Sequence, residues 1–118
     1  MLTTEKIAHE WINAFNAQDL DKLVGLYAED AWHFSPKLKV RQPETNGLVK
    51  GRPALREWWK GSYDRIPTLF YKLLTVTANN DRVFIEYIRE AEGEEPMPVA
   101  EVFDVKDGEI VFSRVYHG

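Results

Sequence analysis

The feature that most constrains the fold is a change in the spacing of apolar residues at Pro67. Before this proline, apolar side chains recur every three or four residues, as on one face of an α-helix; after it they alternate with polar ones, as in a β-strand. Helices followed by strands with short connections predict an α+β fold whose helices cover one face of an antiparallel sheet. At 118 residues, we expect a single domain over residues 1–118.

Three helices are predicted in the first half. The first is capped by Thr3 or Thr4, and its apolar face consists of Ile7, Ala8, Trp11, Ile12 and Phe15. The second follows a break at Asp19, and its apolar stripe consists of Leu20, Leu23, Val24 and Tyr27. The third opens at residues 51–53, with a proline near its first position, and ends before Pro67.

The second half predicts an antiparallel meander of four strands. Runs rich in β-branched and aromatic residues occupy residues 69–77, 82–91, 97–105 and 109–117, and turn-forming residues separate them. A short strand is also predicted at residues 31–35. The polar stretch over residues 36–50 reads as a long loop, a kind of segment that often covers a binding site.

Composition excludes several classes of function. The net charge is −4 and basic residues are scattered, which argues against nucleic acid as a partner. No apolar run approaches the roughly 20 residues that cross a bilayer, and the first residues lack a secretory pattern, so we expect no membrane association. The absence of cysteine suits a reducing compartment and leads us to expect a cytoplasmic protein.

Three segments resemble one known family: NAQDLDKLVGLYAEDA (residues 16–31), GRPALREWW (51–59) and VFDVKDGEIV (102–111). They resemble the SnoaL-like polyketide cyclases and ketosteroid isomerases of the nuclear transport factor 2-like superfamily. The resemblance covers nearly the whole chain. It implies three N-terminal helices packed on a curved antiparallel sheet, enclosing a cone-shaped cavity for a small organic ligand.

The resemblance also suggests site residues, one by one. The general-base aspartate of the isomerases corresponds to Ser35, so that base is missing here. Their oxyanion-hole tyrosine corresponds to Trp11, which donates only through its indole nitrogen. Their protonated acid corresponds to Glu101. Because only one carboxyl remains, steroid isomerisation by that mechanism is not expected.

Glu101 is the most informative residue of the sequence. Strand alternation places it in a row with Val99, Phe103 and Val105, and apolar surroundings raise the pKa of a carboxyl. It is therefore a candidate general acid. The alternative is a Glu paired with Arg89 or Arg114.

Two histidines are candidate partners of Glu101. The family register groups His117 with Ser113 and Val115 on the cavity side of the last strand, although a position near a chain end is often exposed. His33 shares a face with Ser35. Hydrophobicity alone would instead put Trp32 and Phe34 inside and His33 in water, so both orientations remain open.

A metal site is a minor alternative, in which His33, His117 and Glu101 would supply two imidazoles and one carboxylate. We expect no metal and no cofactor, since thiolates and closely spaced histidine pairs are absent. A planar ligand would need aromatic walls, and the candidate ligand-binding side chains are Trp11, Phe15, Ser35, Trp58, Tyr63, Tyr87, Phe103, Ser113 and Val115.

Two functions follow from these residues. The first is a cofactor-independent enzyme of the cyclase or isomerase type that acts by general acid–base chemistry on a small, mostly apolar carbonyl compound. The second is a non-catalytic module of the same fold that binds a ligand or a protein.

If Val83, Ile85 and Tyr87 face inward, Phe84 and Ile88 face outward, which predicts a homodimer through the outer sheet face.

Overall fold

The computed structural model describes residues 3–118. Its helices are α1 (Thr4–Asn16), α2 (Leu20–Gly25), α3 (Pro36–Arg41) and α4 (Arg52–Arg65), with a single 3-10 turn at Pro43–Thr45. Its strands are β1 (Tyr27–Phe34), β2 (Leu48–Lys50), β3 (Phe70–Ala78), β4 (Arg82–Glu90), β5 (Met97–Lys106) and β6 (Glu109–His117). The predicted α+β class is confirmed.

The six strands form one curved, open sheet in the order β2-β1-β6-β5-β4-β3. All neighbouring pairs are antiparallel except β1 and β6, which run parallel. The predicted antiparallel meander is present, and the parallel pairing of β1 with β6 is an addition to it. Strands that follow one another through a short turn must run antiparallel. The strands β1 and β6 are far apart in the sequence, so no turn dictates their relative direction.

Two details of the first half also differ from prediction. Tyr27 was assigned to the second helix, but it is the first residue of β1, which starts four residues before the predicted strand at 31–35. The segment 36–50 was predicted as a loop, but it contains α3, the 3-10 turn and β2. Pro36 occupies the first helical position, where its missing N–H costs nothing.

The core lies between α1, α4 and the concave face of the sheet. As predicted, Val83, Ile85 and Tyr87 face this core and are buried, whereas Phe84 on the opposite face is 37% exposed. The first helix is built as expected, because the Thr3 side chain accepts a hydrogen bond from the Lys6 N–H at its start. None of the helices within residues 3–118 has the length and hydropathy of a membrane span.

The end of α1 is fixed to the edge of the sheet by one side chain. The Asn16 amide donates to the Tyr71 carbonyl at 2.8 Å, and its oxygen accepts the Tyr71 N–H at 2.8 Å. These two hydrogen bonds replace those that a neighbouring strand would make with β3, which is the last strand of the sheet. It thereby holds Tyr71 over the concave face.

We predict that Asn16→Ala lowers the free energy of unfolding by about 1–3 kcal/mol, because two backbone groups of an edge strand lose their partner. Urea denaturation measures this change, and amide hydrogen exchange should accelerate at Tyr71. Asn13→Ala is the matched control, since Asn13 is exposed on the same helix. Equal stability of the two variants would contradict the assignment.

Candidate functional site

A cavity opens on the concave face of the sheet, bounded by α1, α3 and α4. Its volume is about 70 Å³, enough for roughly five water-sized groups. Its floor and walls are aromatic and apolar, with a few polar side chains. The predicted site residues that line it are Trp11, Phe15, His33, Ser35, Trp58, Tyr87, Glu101, Val115 and His117.

Glu101 lies in the wall of this cavity. It stands in the middle of β5, opposite Ile85 on β4 and Val115 on β6, and only 1% of its surface is exposed. The Tyr87 hydroxyl donates to Oε1 at 2.9 Å. Within residues 3–118 the other oxygen, Oε2, is buried and has no hydrogen-bond partner.

Burial is the dominant influence on this carboxyl. It raises the pKa of Glu101 to about 8, and the hydrogen bond from Tyr87 opposes the shift only in part. Glu101 is therefore mainly protonated at neutral pH. Because Oε1 accepts from Tyr87, the proton belongs on Oε2, the oxygen whose hydrogen bond is unmade.

The alternative ion pairs of Glu101 do not form. Arg114 donates to Asp104 at 2.8 Å on the outer side of the sheet, and Arg89 donates to Glu94 at 2.8 Å. Both arginines thus have other carboxylates, and Glu101 has no cationic partner in the described part of the chain.

A chain of four hydrogen-bonded side chains runs beneath the cavity. The Trp11 indole N–H donates to the Tyr27 hydroxyl at 3.0 Å, and Tyr27 is 2.8 Å from the Ser113 hydroxyl. Ser113 in turn lies 2.6 Å from Nδ1 of His33. Since the indole can only donate, every group is satisfied when Tyr27 donates to Ser113 and Ser113 donates to Nδ1.

This arrangement fixes the state of His33. Burial lowers the pKa of His33 to about 3, so the ring is neutral. With Nδ1 accepting from Ser113, the ring proton resides on Nε2. His33 lines the cavity and can offer this N–H to a ligand.

The structure decides between the two orientations of the first strand. His33 is 2% exposed and packs against Trp59 at 5.3 Å, whereas Trp32 is 37% exposed under the Lys50 ammonium. Hydrophobicity alone would have given the opposite result. The hydrogen bond to Ser113 offsets the cost of burying the imidazole.

His117 stands at the mouth of the cavity, near the end of β6. Partial burial lowers its pKa, and the positive charges of Lys37 and Arg89 lower it further. Its imidazole is therefore neutral at neutral pH and keeps a free lone pair.

Three predicted ligand-binding residues do not line the cavity. Tyr63 donates its hydroxyl to the Phe15 carbonyl at 2.8 Å, Phe103 packs behind Trp11 with ring centroids 5.2 Å apart, and Ser113 is covered by His33 and Tyr27. Each belongs to the layer that supports the wall. Strand alternation could not separate the two layers, because it gives the face of a residue but not its depth.

Sequence reasoning missed several lining residues. Tyr71 stacks between Phe15 and Tyr87, at 3.9 and 4.2 Å, and completes the aromatic wall. Its alternation within β3 could have indicated this. The other missed residues include four basic side chains, Lys37, Arg41, Arg65 and Arg89.

Comparison with known families identifies the chain. The SnoaL-like domain profile matches residues 8–113, and the protein belongs to this family. A comparison with curated protein sequences found no match. The predicted nuclear transport factor 2-like fold, also called cystatin-like, is confirmed by solved structures that share it.

Three solved structures illustrate the range of sequence identity among the proteins that are similar to this chain. A SnoaL-like protein of unknown function from Burkholderia thailandensis is 28% identical, with a TM-score of 0.86 over 98% of this chain and 93% of that one. A provisionally assigned polyketide cyclase from Sinorhizobium meliloti is 19% identical, with a TM-score of 0.80 and 94% of each chain covered. A hypothetical protein of ketosteroid isomerase-like fold from Catenulispora acidiphila, in complex with trimethylamine, is 21% identical, with a TM-score of 0.77, covering 97% and 86%.

Residues that could hold a metal were also sought. Within residues 3–118, no three or more His, Cys, Asp or Glu side chains lie close enough together to form a metal site.

We predict that Glu101 makes stability fall with rising pH. Between its ordinary pKa of 4.5 and its folded value of about 8, the folded protein keeps a proton that the unfolded chain has released. The loss amounts to several kcal/mol over that range. His33, with a folded pKa of about 3 against 6.5, has the opposite slope up to pH 6.5, so the net decline should appear between pH 6.5 and 8.

Urea denaturation across this pH range measures the effect. Glu101→Gln mimics the protonated acid and should remove the decline above pH 6.5. Glu90→Gln, at an exposed position of β4, is the control and should retain it. Identical pH profiles for wild type and Glu101→Gln would contradict a neutral Glu101.

Proposed function

We propose that this protein binds a small planar carbonyl compound in the cavity and catalyses proton transfer on it without a cofactor. The observation that carries the proposal is the buried carboxyl of Glu101, which lines an aromatic cavity and whose Oε2 has no hydrogen-bond partner among residues 3–118. A buried polar atom without a partner costs free energy. A ligand oxygen at this position would satisfy it.

Glu101 suits two steps of such a reaction. In its protonated form it donates from Oε2 to the carbonyl oxygen and stabilises the negative charge that develops when a neighbouring carbon loses a proton. With a pKa of about 8, it can also release and regain that proton near neutral pH. Tyr87 holds Oε1 and so orients the carboxyl.

The two neutral histidines take different roles in this proposal. His33 offers its Nε2–H to the ligand and helps to orient it, because Nδ1 is engaged by Ser113. His117 has a free lone pair at the mouth, so it is the proposed acceptor of the carbon-bound proton. From there the proton can pass to water.

The walls favour a flat ligand. Phe15, Tyr71 and Tyr87 stack in one series, and Trp11 lies nearly parallel to Tyr71 at 6.0 Å. Steroid isomerisation is disfavoured by Ser35, which stands where the isomerases place their base, and by a cavity of about 70 Å³.

A non-catalytic binding module is the second candidate. The missing base at position 35 and the small cavity favour it. The trimethylamine of the Catenulispora protein would be a poor guide to the ligand here, because the opening is surrounded by basic side chains.

Deuterium exchange into the methyl group of acetophenone, followed by NMR, tests the catalytic proposal. Wild type should accelerate exchange, and Glu101→Gln should reduce that acceleration by about 100-fold or more, because the amide cannot release a proton. Glu101→Gln should still bind acetophenone, whereas Glu101→Ala should weaken binding by about 1–3 kcal/mol. Undiminished exchange in Glu101→Gln would refute the role of Glu101, and binding without exchange in wild type would favour the binding module.

We also propose a homodimer through the outer sheet face. Phe84 pairs with Val102 across the strands, and Tyr116 on the same face is 51% exposed. Apolar residues so exposed often mark an interface. Light scattering at high micromolar concentration should show a dimer, and Phe84→Glu should give a monomer.

Val40→Glu is the control, since Val40 is 81% exposed on α3 and should leave the dimer intact. A monomeric wild type would exclude this interface.

A further inference from the structure

Four basic side chains meet at the opening of the cavity, although the chain has a net charge of −4. Lys37 and Arg41 come from α3, Arg65 from the last turn of α4 and Arg89 from β4. Three separate elements supply them, so the tertiary structure creates this cluster, which we call the cationic mouth.

The protein does little to neutralise the cationic mouth. Arg89 pairs with Glu94 at 2.8 Å, but within residues 3–118 no carboxylate pairs with Lys37, Arg41 or Arg65. After burial, the charge of Arg41 is the next cause that lowers the pKa of Arg65. The charge of Asp64 opposes this lowering, so Arg65 lies near one like charge and one acid.

Arg89 is the most telling member of the mouth. It is 5% exposed, and arginine is seldom buried to this extent unless its charge is paired. Glu94 occupies only Nη1, and the remaining N–H groups belong to a side chain that lines the cavity. A planar guanidinium fork matches the two oxygens of a carboxylate.

The described residues that line the cavity carry little negative charge to balance the mouth. Among them Glu101 is the one acid, and it is neutral at neutral pH for the reasons given above. The acids that reach the mouth from outside the lining are Glu94, paired with Arg89, and Asp64, near Arg65. An anionic group of a ligand would complement the remaining positive charge.

We propose that the ligand of this cavity is an anion, a small planar carbonyl compound that carries a carboxylate. Arg41, Arg65 and Arg89 hold the carboxylate at the mouth, and the carbonyl oxygen reaches Glu101. The inference rests on the proposed function, since it assigns a second contact to the same ligand. A cationic or neutral ligand would leave the mouth uncompensated.

The surroundings of the mouth fit a ligand larger than the inner cavity. The Arg65 guanidinium lies 5.5 Å from the Trp58 ring. Arg41, Trp58 and Arg65 line both the inner cavity and an adjoining groove of about 500 Å³. A carboxylate held here would sit at the junction, with room for substituents outside.

Benzoate and benzamide test the proposal, because they share a shape and differ in charge. Isothermal titration at low salt should show that wild type binds benzoate about tenfold or more tightly than benzamide. The preference should shrink as ionic strength rises. In the double variant Arg41→Gln/Arg65→Gln it should largely disappear, with benzamide affinity unchanged.

The control is the double variant Lys39→Gln/Arg56→Gln. It removes two positive charges from the same helices, α3 and α4, at exposed positions outside the cavity lining. It should keep the benzoate preference, which separates a local contact from an effect of net charge. Equal loss in both double variants, equal affinity of the two probes, or no benzoate binding at millimolar concentration would overturn the anion proposal.

Glu101→Gln distinguishes this failure from failure of the proposed function. The anion preference should survive in Glu101→Gln, because the carboxylate contacts the mouth rather than Glu101. If the preference is absent but acetophenone exchange still depends on Glu101, the proton-transfer proposal stands and the anion proposal falls. If the preference is present but acetophenone exchange is independent of Glu101, the anion proposal stands and the proton-transfer proposal falls.

Discussion

The placement of Trp11 is the constraint on which the rest of the cavity depends. Its ring stacks with Phe15 on its own helix and with Tyr71 on β3, and it meets Trp59 on α4 and Phe103 on β5. One side chain thus fixes the position of α1 over the sheet. Its N–H also starts the hydrogen-bond chain that ends at His33. Because an indole cannot accept, the direction of this chain and the tautomer of His33 follow from it.

The electrostatic design separates two environments over a short distance. Within the sheet, burial keeps Glu101 protonated, and the causes of its shift are desolvation and the Tyr87 hydroxyl, with no contribution from a basic side chain. At the mouth, four basic side chains accumulate, and of these only Arg89 forms a salt bridge with an acid among the described residues, Glu94. A cation closer to Glu101 would have ionised it. The separation therefore lets one cavity offer a neutral proton donor at one end and positive charge at the other.

The polar groups of the site stand on rigid elements. Glu101, Tyr87 and Ser113 project from the middle of their strands, and His33 projects from the next-to-last residue of β1. Each of these strands is paired on both sides, and hydrogen bonds hold the rotamers of the four side chains. Such groups keep their geometry without a ligand, which lowers the cost of organising a reaction. The basic residues of α3 belong to a short segment instead, and they present charge rather than a fixed constellation.

The sequence by itself determined most of the helices and strands, and which residues of a strand share one face of the sheet. The change of period at Pro67 gave helices before strands, and alternation over Val99, Glu101 and Phe103 placed a carboxyl among apolar side chains. Both depend on contacts between near neighbours in the chain. Only the tertiary structure decided that His33 faces inward rather than Trp32, that Tyr27 leaves the helix for β1, and that α3 forms within residues 36–50. Alternation defines two faces but not which is buried, and a six-residue helix is stabilised by packing more than by its own sequence. The cationic mouth was likewise invisible, because its residues come from three distant segments of the chain and meet only when α3, α4 and β4 pack together.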